Sequence, residues 1–528
     1  MSIESKESEQ KTILLVSANG GFTHAAPVLE LGRILAARGH RVEFATHHGQ
    51  ENWVESPSYS FLSGVHTMGA AMDAADEESH YLDLQETDIR TDFARYFEPM
   101  FRIQAFWVSD FKHLMRIVKT LKPDMIVADA FVDIAVRDIQ IQIGIPVATV
   151  WSQMPYGMLS ASYIPGLPGL QTEALTSEHA SLWTRIRAAL RPLRAAIPAV
   201  RYLQFLSRMR EENGIRYALP MRNKPNNLVL VNSFWGLETP KDVPPLVAAI
   251  GPILADEFPP LTEQLETFYQ SHRRVVYVAF GTHVRVHTTD LEKFVIALSQ
   301  LLGEGMVDGV IWASANAQSL LFDPHRRLPG HKHSFGDLVS NMSSSWLFTP
   351  FAPQRAILDR AETGLYITHG GGSSINEALF HRKPMLCLGF FADQPLNGLR
   401  VEEAGVGLRL DKAKLSAAEI YEKARRILND ESGSIAQDLQ RMKHIARVSA
   451  RKKEYGADLI EEVMYDWKFC QLAPGKKGRR RPMHLQTADE RMSVWRANNW
   501  DLKCICLLSV AGLVGGVYYA SVWIEKHL

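Results

Sequence analysis

The chain has 528 residues, 46% of them hydrophobic and 22% charged, a globular composition that is too long for one ordinary domain and suits two large ones. Its 58 basic and 58 acidic residues balance to zero, so nothing global marks nucleic acid as a partner. The four cysteines, Cys387, Cys470, Cys504 and Cys506, are too few for a disulfide framework and fit a reducing compartment.

The N-terminal MSIESKESEQK is polar and carries no basic region followed by an apolar core, so no secretory signal is expected. Residues 13–17 then predict a strand, 18–23 a loop, 26–38 a helix closed by Gly39, and 41–46 the next strand. This βαβ unit predicts a parallel sheet. His24 falls at the end of the first strand-to-helix loop, three residues before Pro27, where an α/β fold places ligand-facing residues. On the residues alone a lone loop histidine reads as a surface residue more often than as a base.

Residues 51–121 are irregular and rich in large apolar side chains. Phe93, Tyr96, Phe97 and Met100 fall at helical spacing, with Pro99 expected to kink or restart the helix. Most of these aromatics, Tyr81 included, read as packing residues, and some as the lining of an apolar acceptor pocket. Residues 124–128 predict a buried strand with Asp129 at its C-terminal end. That carboxylate reads either as a cap for the next helix or as the partner of His24. In the second reading an imidazole with an ordinary pKa near ~6.5 takes a proton from a hydroxyl while Asp129 orients the ring and stabilises its charged form.

From His179 to Arg210 there is no acidic residue, while seven arginines alternate with apolar side chains. Pro192 and Pro198 predict a break into short helices, presenting either a solvated basic face or a surface for anionic lipid. Residues 228–232 read as the last strand of the first half and 233–251 as a connection. The second half opens with a strand at 275–280, ending in Gly281 and Thr282, where a backbone N–H and a hydroxyl can meet a phosphate.

Residues 365–368 form the next apolar strand, 369–374 a glycine-rich turn and 375–380 the start of a helix. A strand, a tight turn and a helix N-terminus favour an anion, and Gly370, Gly371 and Gly372 let it approach the backbone. Glu377 lies four residues after Ser373 on the same helix face, so a carboxylate can receive ribose hydroxyls while serine hydroxyls and His369 address a diphosphate. Asp393 and Gln394 follow the strand at 385–388, at the mouth where open α/β sheets bind ligands. Residues 417–468 are helical by period and 475–482 are a basic linker. Residues 504–524 carry no charge over 21 positions, enough to cross a bilayer, with Trp500 and Trp523 near the edges.

The segment FAPQRAILDRAETGLYITHGGGSSINEALFHRKPMLCLGFFADQPLN, residues 351–397, resembles the donor-binding box of the UDP-glucuronosyltransferases and plant secondary-product glucosyltransferases. Ala352-Pro353-Gln354, His369, Gly371, Ser374, Glu377, Pro384 and Asp393-Gln394 carry the resemblance in register. It implies that Gln354 addresses uridine, that His369, Ser374 and the turn at Gly371 and Ser373 hold the diphosphate, that Glu377 receives the ribose diol, and that Asp393 and Gln394 receive the sugar hydroxyls. Thr282 stands for the family's serine, and Phe351 stands where the plant proteins usually stack a tryptophan on uracil. Gly372-Ser373 replaces their Trp-Asn. By the same resemblance His24 is the general base and Asp129 its catalytic aspartate.

The resemblance implies an α/β fold of two facing Rossmann-like domains of the GT-B type. Residues 1–236 would bind the acceptor and 237–470 the UDP-sugar, with the last helix bracing the first half. Residues 471–502 would be the linker and 503–524 a transmembrane tail anchor. The expected activity is inverting transfer of glucose or glucuronic acid from a UDP-sugar to a hydroxyl of a lipophilic small molecule, sterol or lipid, with no metal and no cofactor beyond the UDP-sugar co-substrate. The expected partners are the donor, the acceptor and membrane lipid, and not nucleic acid. Basic residues before the apolar tail put the catalytic bulk on the cytosolic side, with the endoplasmic reticulum as the expected membrane. Animal glucuronosyltransferases, by contrast, begin with a signal peptide and face the lumen. Two alternatives are a catalytically silent nucleotide-sugar-binding or scaffolding protein, and a transferase using another activated sugar such as a dTDP-sugar.

Overall fold

The computed structural model describes residues 9–528 except 89–91, 93–94, 96, 156–158, 167–168, 170, 220–223, 315–322, 328–332 and 470–483. Phe93, Tyr96, Cys470 and the basic core of the expected linker, 476–481, lie outside the described residues.

The first half opens with β1 (Thr12–Val16), α1 (Phe22–Ala37), β2 (Arg41–His48) and β3 (Leu62–Ala70). Helices α2 (Ala74–Glu86), α3 (Phe97–Ala105) and α4 (Trp107–Leu121) follow. The chain continues through β4 (Met125–Asp129), α5 (Asp133–Ile143), β5 (Val147–Trp151), α6 (Leu182–Glu212), β6 (Leu228–Val231) and β7 (Val247–Ala249). All seven strands are parallel, in the order β3-β2-β1-β4-β5-β6-β7. Ile13 to Val16 are buried along their whole length, as a strand covered by helices on both faces requires. Ile13 and Leu15 pack toward α1, and Leu14 and Val16 toward α4 and α5.

The second half begins with α7 (Glu263–Ser271), β8 (Val275–Ala279), α8 (Thr288–Gly303), β9 (Gly309–Ala313), α9 (Phe335–Val339) and β10 (Trp346–Thr349). Next come α10 (Gln354–Asp359), β11 (Thr363–Thr368), α11 (Gly372–Phe380), β12 (Met385–Cys387), α12 (Gln394–Glu403) and β13 (Gly407–Arg409). Its six parallel strands run β10-β9-β8-β11-β12-β13, the same doubly wound order as the first sheet. The strand order therefore reverses between β1 and β4 in one sheet and between β8 and β11 in the other, and ligands of such sheets bind at those crevices.

Three helices close the fold: α13 (Ala417–Asn429), α14 (Ser434–Ser449) and α15 (Lys452–Phe469). Helix α14 stays with the second sheet, whereas α15 crosses back and sets Leu459, Ile460, Val463 and Met464 into the core against α1. The tail carries α16 (Val494–Ala497) and α17 (Trp500–His527), the latter long and apolar enough to cross a membrane and with no buried residue.

Several expectations differ from the structure. The first half does not end at the 228–232 strand, because β7 pairs with β6 and carries the first sheet past residue 236. Helix α2 precedes residue 236 yet belongs to the second core, where Leu84 is buried. The Gln85 amide exchanges two hydrogen bonds with the Arg285 backbone, 2.6 and 3.0 Å, and Lys412 donates to the carbonyls of Gln85 and Thr87. Pro192 and Pro198 do not break α6, which runs for 31 residues through both. The carbonyl of Ala188, which Pro192 leaves without its i+4 donor, faces the loop at Gly166. Pro99, by contrast, acts in the second of the two ways expected of it: α3 starts at Phe97 and the proline sits in its first turn, where no N–H is required.

Candidate active site

Helix α1 begins at Phe22, four residues earlier than the periodicity suggested, so His24 stands in its first turn and not in the loop. The loop between β1 and α1 turns on Gly20, whose φ is +85° and whose Cβ would lie 2.6 Å from both the His24 and Phe131 rings, leaving room for glycine alone. Asp129 ends β4, the neighbour of β1. One carboxylate oxygen accepts from the Phe131 N–H at 2.9 Å, and the other lies 2.9 Å from His24 Nδ1. One oxygen of Asp129 thus caps the turn after β4, and the other reaches the His24 ring. Burial works against charge on the His24 ring, but the charge and hydrogen bond of Asp129, with the charge of Asp393, outweigh it and hold the pKa above 6.5.

Helix α11 also begins early, at Gly372 with Gly371 as its N-cap, so Ser373 and Ser374 are first-turn residues with their amides at the positive end of the helix. Gly370 takes φ +81° in the turn before it. His369 leaves the end of β11 beside Gly281 at the end of β8, where a Cβ would sit 2.9 Å from its ring. Burial, helped by the charge of His283 and opposed by a hydrogen bond to the Ala279 backbone, pushes the His369 pKa down to about 4, so the ring is neutral at physiological pH. Thr282 is exposed on the adjoining loop, and Phe351 presents its ring to solvent with 70% exposure.

Gln354 does not hold a free amide toward the cleft. Its Nε2 donates to Glu377 at 2.7 Å and reaches Ser374 Oγ at 3.4 Å, while its Oε1 accepts from the Tyr366 hydroxyl at 2.9 Å. Burial raises the Glu377 pKa and the hydrogen bond from Gln354 opposes it. Gln394 is partly spent as well, because its Oε1 accepts from the backbone N–H groups of Phe390 and Phe391, leaving its NH₂ as the group able to reach outward. Asp393 is half-buried; desolvation raises its pKa, against the hydrogen bond it accepts from Asn397 at 2.8 Å.

The two halves bring these groups to one gap. A Cβ on Gly372 would stand 3.4 Å from the Ser152 carbonyl, just past β5, and 3.6 Å from Asp393. His24 and Asp393 feel one another's charge across it.

Sequence reasoning passed over four residues here. His283, next to Thr282, stacks on Tyr81 of α2 at 4.0 Å and 18°, and its Nε2 lies 3.3 Å from the Cβ that Gly21 lacks. Asn397 donates to Asp393 and to the Gly370 carbonyl, and Arg400 bonds Asn397, Gln153 and, at 2.5 Å, Glu238 of the first half. Ser152 faces α11. The spacing of Asp393, Asn397 and Arg400, on one helix face at i, i+4 and i+7, was the available signal for two of them.

A family model described as "UDP-glucoronosyl and UDP-glucosyl transferase" matches residues 22–444. UDP-glycosyltransferase FPY2 of Fusarium mangiferae is 36% identical over 538 residues, covering 96% of this chain and 98% of that protein. UDP-glycosyltransferase stmC of Aspergillus ustus is 38% identical over 534 residues, 99% of each chain. Among solved structures, Os79 of O. sativa in complex with U2F and trichothecene superposes with a TM-score of 0.57 at 19% identity, over 85% of this chain and 100% of that one.

Proposed function

Since this chain belongs to the UDP-glucuronosyl and UDP-glucosyl transferase family and moves a sugar from a UDP-sugar, we propose that the acceptor is a lipophilic small molecule with a free hydroxyl and that transfer inverts the anomeric centre. The observation that carries this is the His24–Asp129 pair, 2.9 Å apart at the β1/β4 crevice, with His24 within reach of the charge of Asp393 in the second half. With Nδ1–H donated to Asp129, His24 Nε2 keeps a lone pair. It takes the acceptor proton as the acceptor oxygen bonds to the anomeric carbon, and the bond from that carbon to the β-phosphate oxygen breaks. UDP leaves with that electron pair toward the first-turn amides of α11, Ser373, Ser374, Thr282 and neutral His369, whose donors are already oriented before charge develops.

Glu377 receives the ribose diol, held in place by Gln354, and Phe351 stacks on the uracil. Asp393 receives sugar hydroxyls, with the Gln394 NH₂ beside it. We infer an uncharged hexose such as glucose over a uronic acid, because the carboxylate of Asp393 disfavours a second one and, of the two cations it feels, His24 serves as the base and Arg400 is closed on Glu238, Gln153 and Asn397. The aromatic surroundings of the cleft, Tyr81 and Phe131 beside the histidines, support an apolar acceptor. Residues up to 236, extended by β7, form the acceptor half and the residues from α7 to α14 the donor half, with α15 as the brace. The apolar α17 is read as a membrane anchor, with both halves on the cytosolic face and the endoplasmic reticulum as the membrane.

UDP release by the full chain, measured with UDP-glucose and UDP-glucuronate against a panel of hydroxylated lipophiles, tests this reading. Acceptor-dependent release with UDP-glucose well above that with UDP-glucuronate is expected. Release that is faster with the uronic acid, or that requires polar acceptors only, overturns it.

A further inference from the structure

Helix α6 carries a surface that sugar transfer does not use. At 3.6 residues per turn, Leu182, Ile186, Leu190, Leu193, Ile197 and Val200 fall within an arc of about 80° on its outer side. All six are exposed, Leu193 at 70% and Ile197 at 68%, and Trp183 at the edge of the stripe is 63% exposed. The opposite side is occupied: Ala195, Leu206 and Met209 are buried, and Tyr202 and Phe205 pack on Phe97 and Phe101 of α3. The stripe is therefore not the inner face of an undocked helix, because α6 has its inner face already.

Charge decides what covers it. Arg194 and Arg201 flank the stripe on one side and Arg185 on the other, and no acidic residue occurs from 179 to 210. An apolar stripe bordered by guanidinium groups, with no carboxylate of its own helix beside it and with Glu173 of the preceding loop set away from Arg185, Arg194 and Arg201 on Arg187, matches acyl chains beneath phosphate headgroups and not the mixed-sign rim of a protein interface. Trp183 at the margin fits the headgroup level. Helix α17 is apolar all round and suits a crossing, whereas the surface that α6 leaves exposed is apolar along one stripe with arginines beside it and suits the plane of the interface.

We propose that α6 docks along an anionic bilayer, its stripe in the acyl boundary and its arginines on the phosphates, so that the body of the enzyme is held against the membrane at a second place besides α17. Because α6 packs on α3 and α3 on α2, which carries Tyr81 beside His283, the docked surface is joined to the cleft by two helix contacts. Docking does not depend on the identity of donor or acceptor.

The full chain is reconstituted in vesicles of phosphatidylcholine, with or without phosphatidylserine, that contain a phospholipid with a photoreactive acyl chain, and labelled peptides are mapped by mass spectrometry. Label is expected on peptides spanning 182–200 as well as on α17, rising several-fold with phosphatidylserine. The variant L190E/L193E/I197E loses the α6 label while keeping the α17 label and UDP binding, which shows that it folds. R185Q/R194Q/R201Q loses the phosphatidylserine dependence. Label confined to α17 in both vesicles overturns the proposal. So does equal α6 label with and without phosphatidylserine, or cross-linking of two copies through 182–200 in place of lipid label.

Discussion

At the residue scale, the cleft is a set of imidazoles and carboxylates whose surroundings push their proton affinities apart. His24 is held above its ordinary pKa mainly against burial, by Asp129 and Asp393, while His369 and His283 are pushed down to about 4. Asp129→Asn removes the charge that raises His24 and leaves the ring free to adopt the wrong tautomer. The maximal rate is expected to fall about 10²- to 10⁴-fold, and the acid limb of the kcat/KM profile to move to lower pH, as a pH–rate series would show. Glu377→Gln removes a charge-assisted acceptor and is expected to raise the donor KM about 10- to 100-fold, corresponding to ~1.5–3 kcal/mol, with a smaller effect on kcat, measured by donor titration. Asp129 and Glu377 could be picked out by their places at a strand end and a helix start, and His24 by the family resemblance, since its place alone favours a surface residue. His283 could not, because its partners are Gly21 and Tyr81 of the other half, and one sequence carries no sign of that meeting.

At the element scale, α12 links the cleft at Asp393 to the first half. Asp393, Asn397 and Arg400 lie on one face, and Arg400 ends on the buried Glu238, whose other oxygen accepts from the Met154 N–H. Arg400→Ala strands that carboxylate and is expected to cost about 3–5 kcal/mol in denaturant unfolding, whereas the pair replaced together by Arg400→Met and Glu238→Leu recovers most of it. Strand positions were legible wherever four or five apolar residues ran together, as in β1, β4 and β8. β7, three residues long with two of them half-buried, left no such trace. Helix starts were read too late at α1 and α11 because Pro27 and Ile375 look like first residues, while the true caps, Gly21 and Gly371, make no side-chain cap hydrogen bond. The prolines of α6 misled for a related reason. A proline removes one backbone bond, and in a helix with a free outer face the loss is local.

At the scale of the whole molecule, α15 and α2 tie the halves together in opposite directions, one in the first core and one in the second. The doubled α/β order was readable from the sequence, and α2 was not, since its allegiance is decided by Leu84 and Gln85 reaching residues two hundred positions away. Stability should also fall with acid. His80 and His381 are buried and His283 and His369 half-buried, and desolvation lowers all four to about 4, so between ~6.5 and ~4 the unfolded chain binds protons that the native one refuses. Each contributes a loss of about 1.4 kcal/mol per pH unit across that window, while the raised pKa of His24 acts the other way; a melting series from pH 7 to pH 5 should show a steep fall. The account as a whole requires the first half's imidazole and the second half's anion site to act on one substrate pair. Calorimetric UDP binding and acceptor-dependent UDP release, measured together on the full chain and its His24→Ala variant, test this most directly. Binding within a factor of two or so and release reduced about 10²-fold or more are predicted; release that survives the substitution, or disappears only because UDP no longer binds, would contradict it.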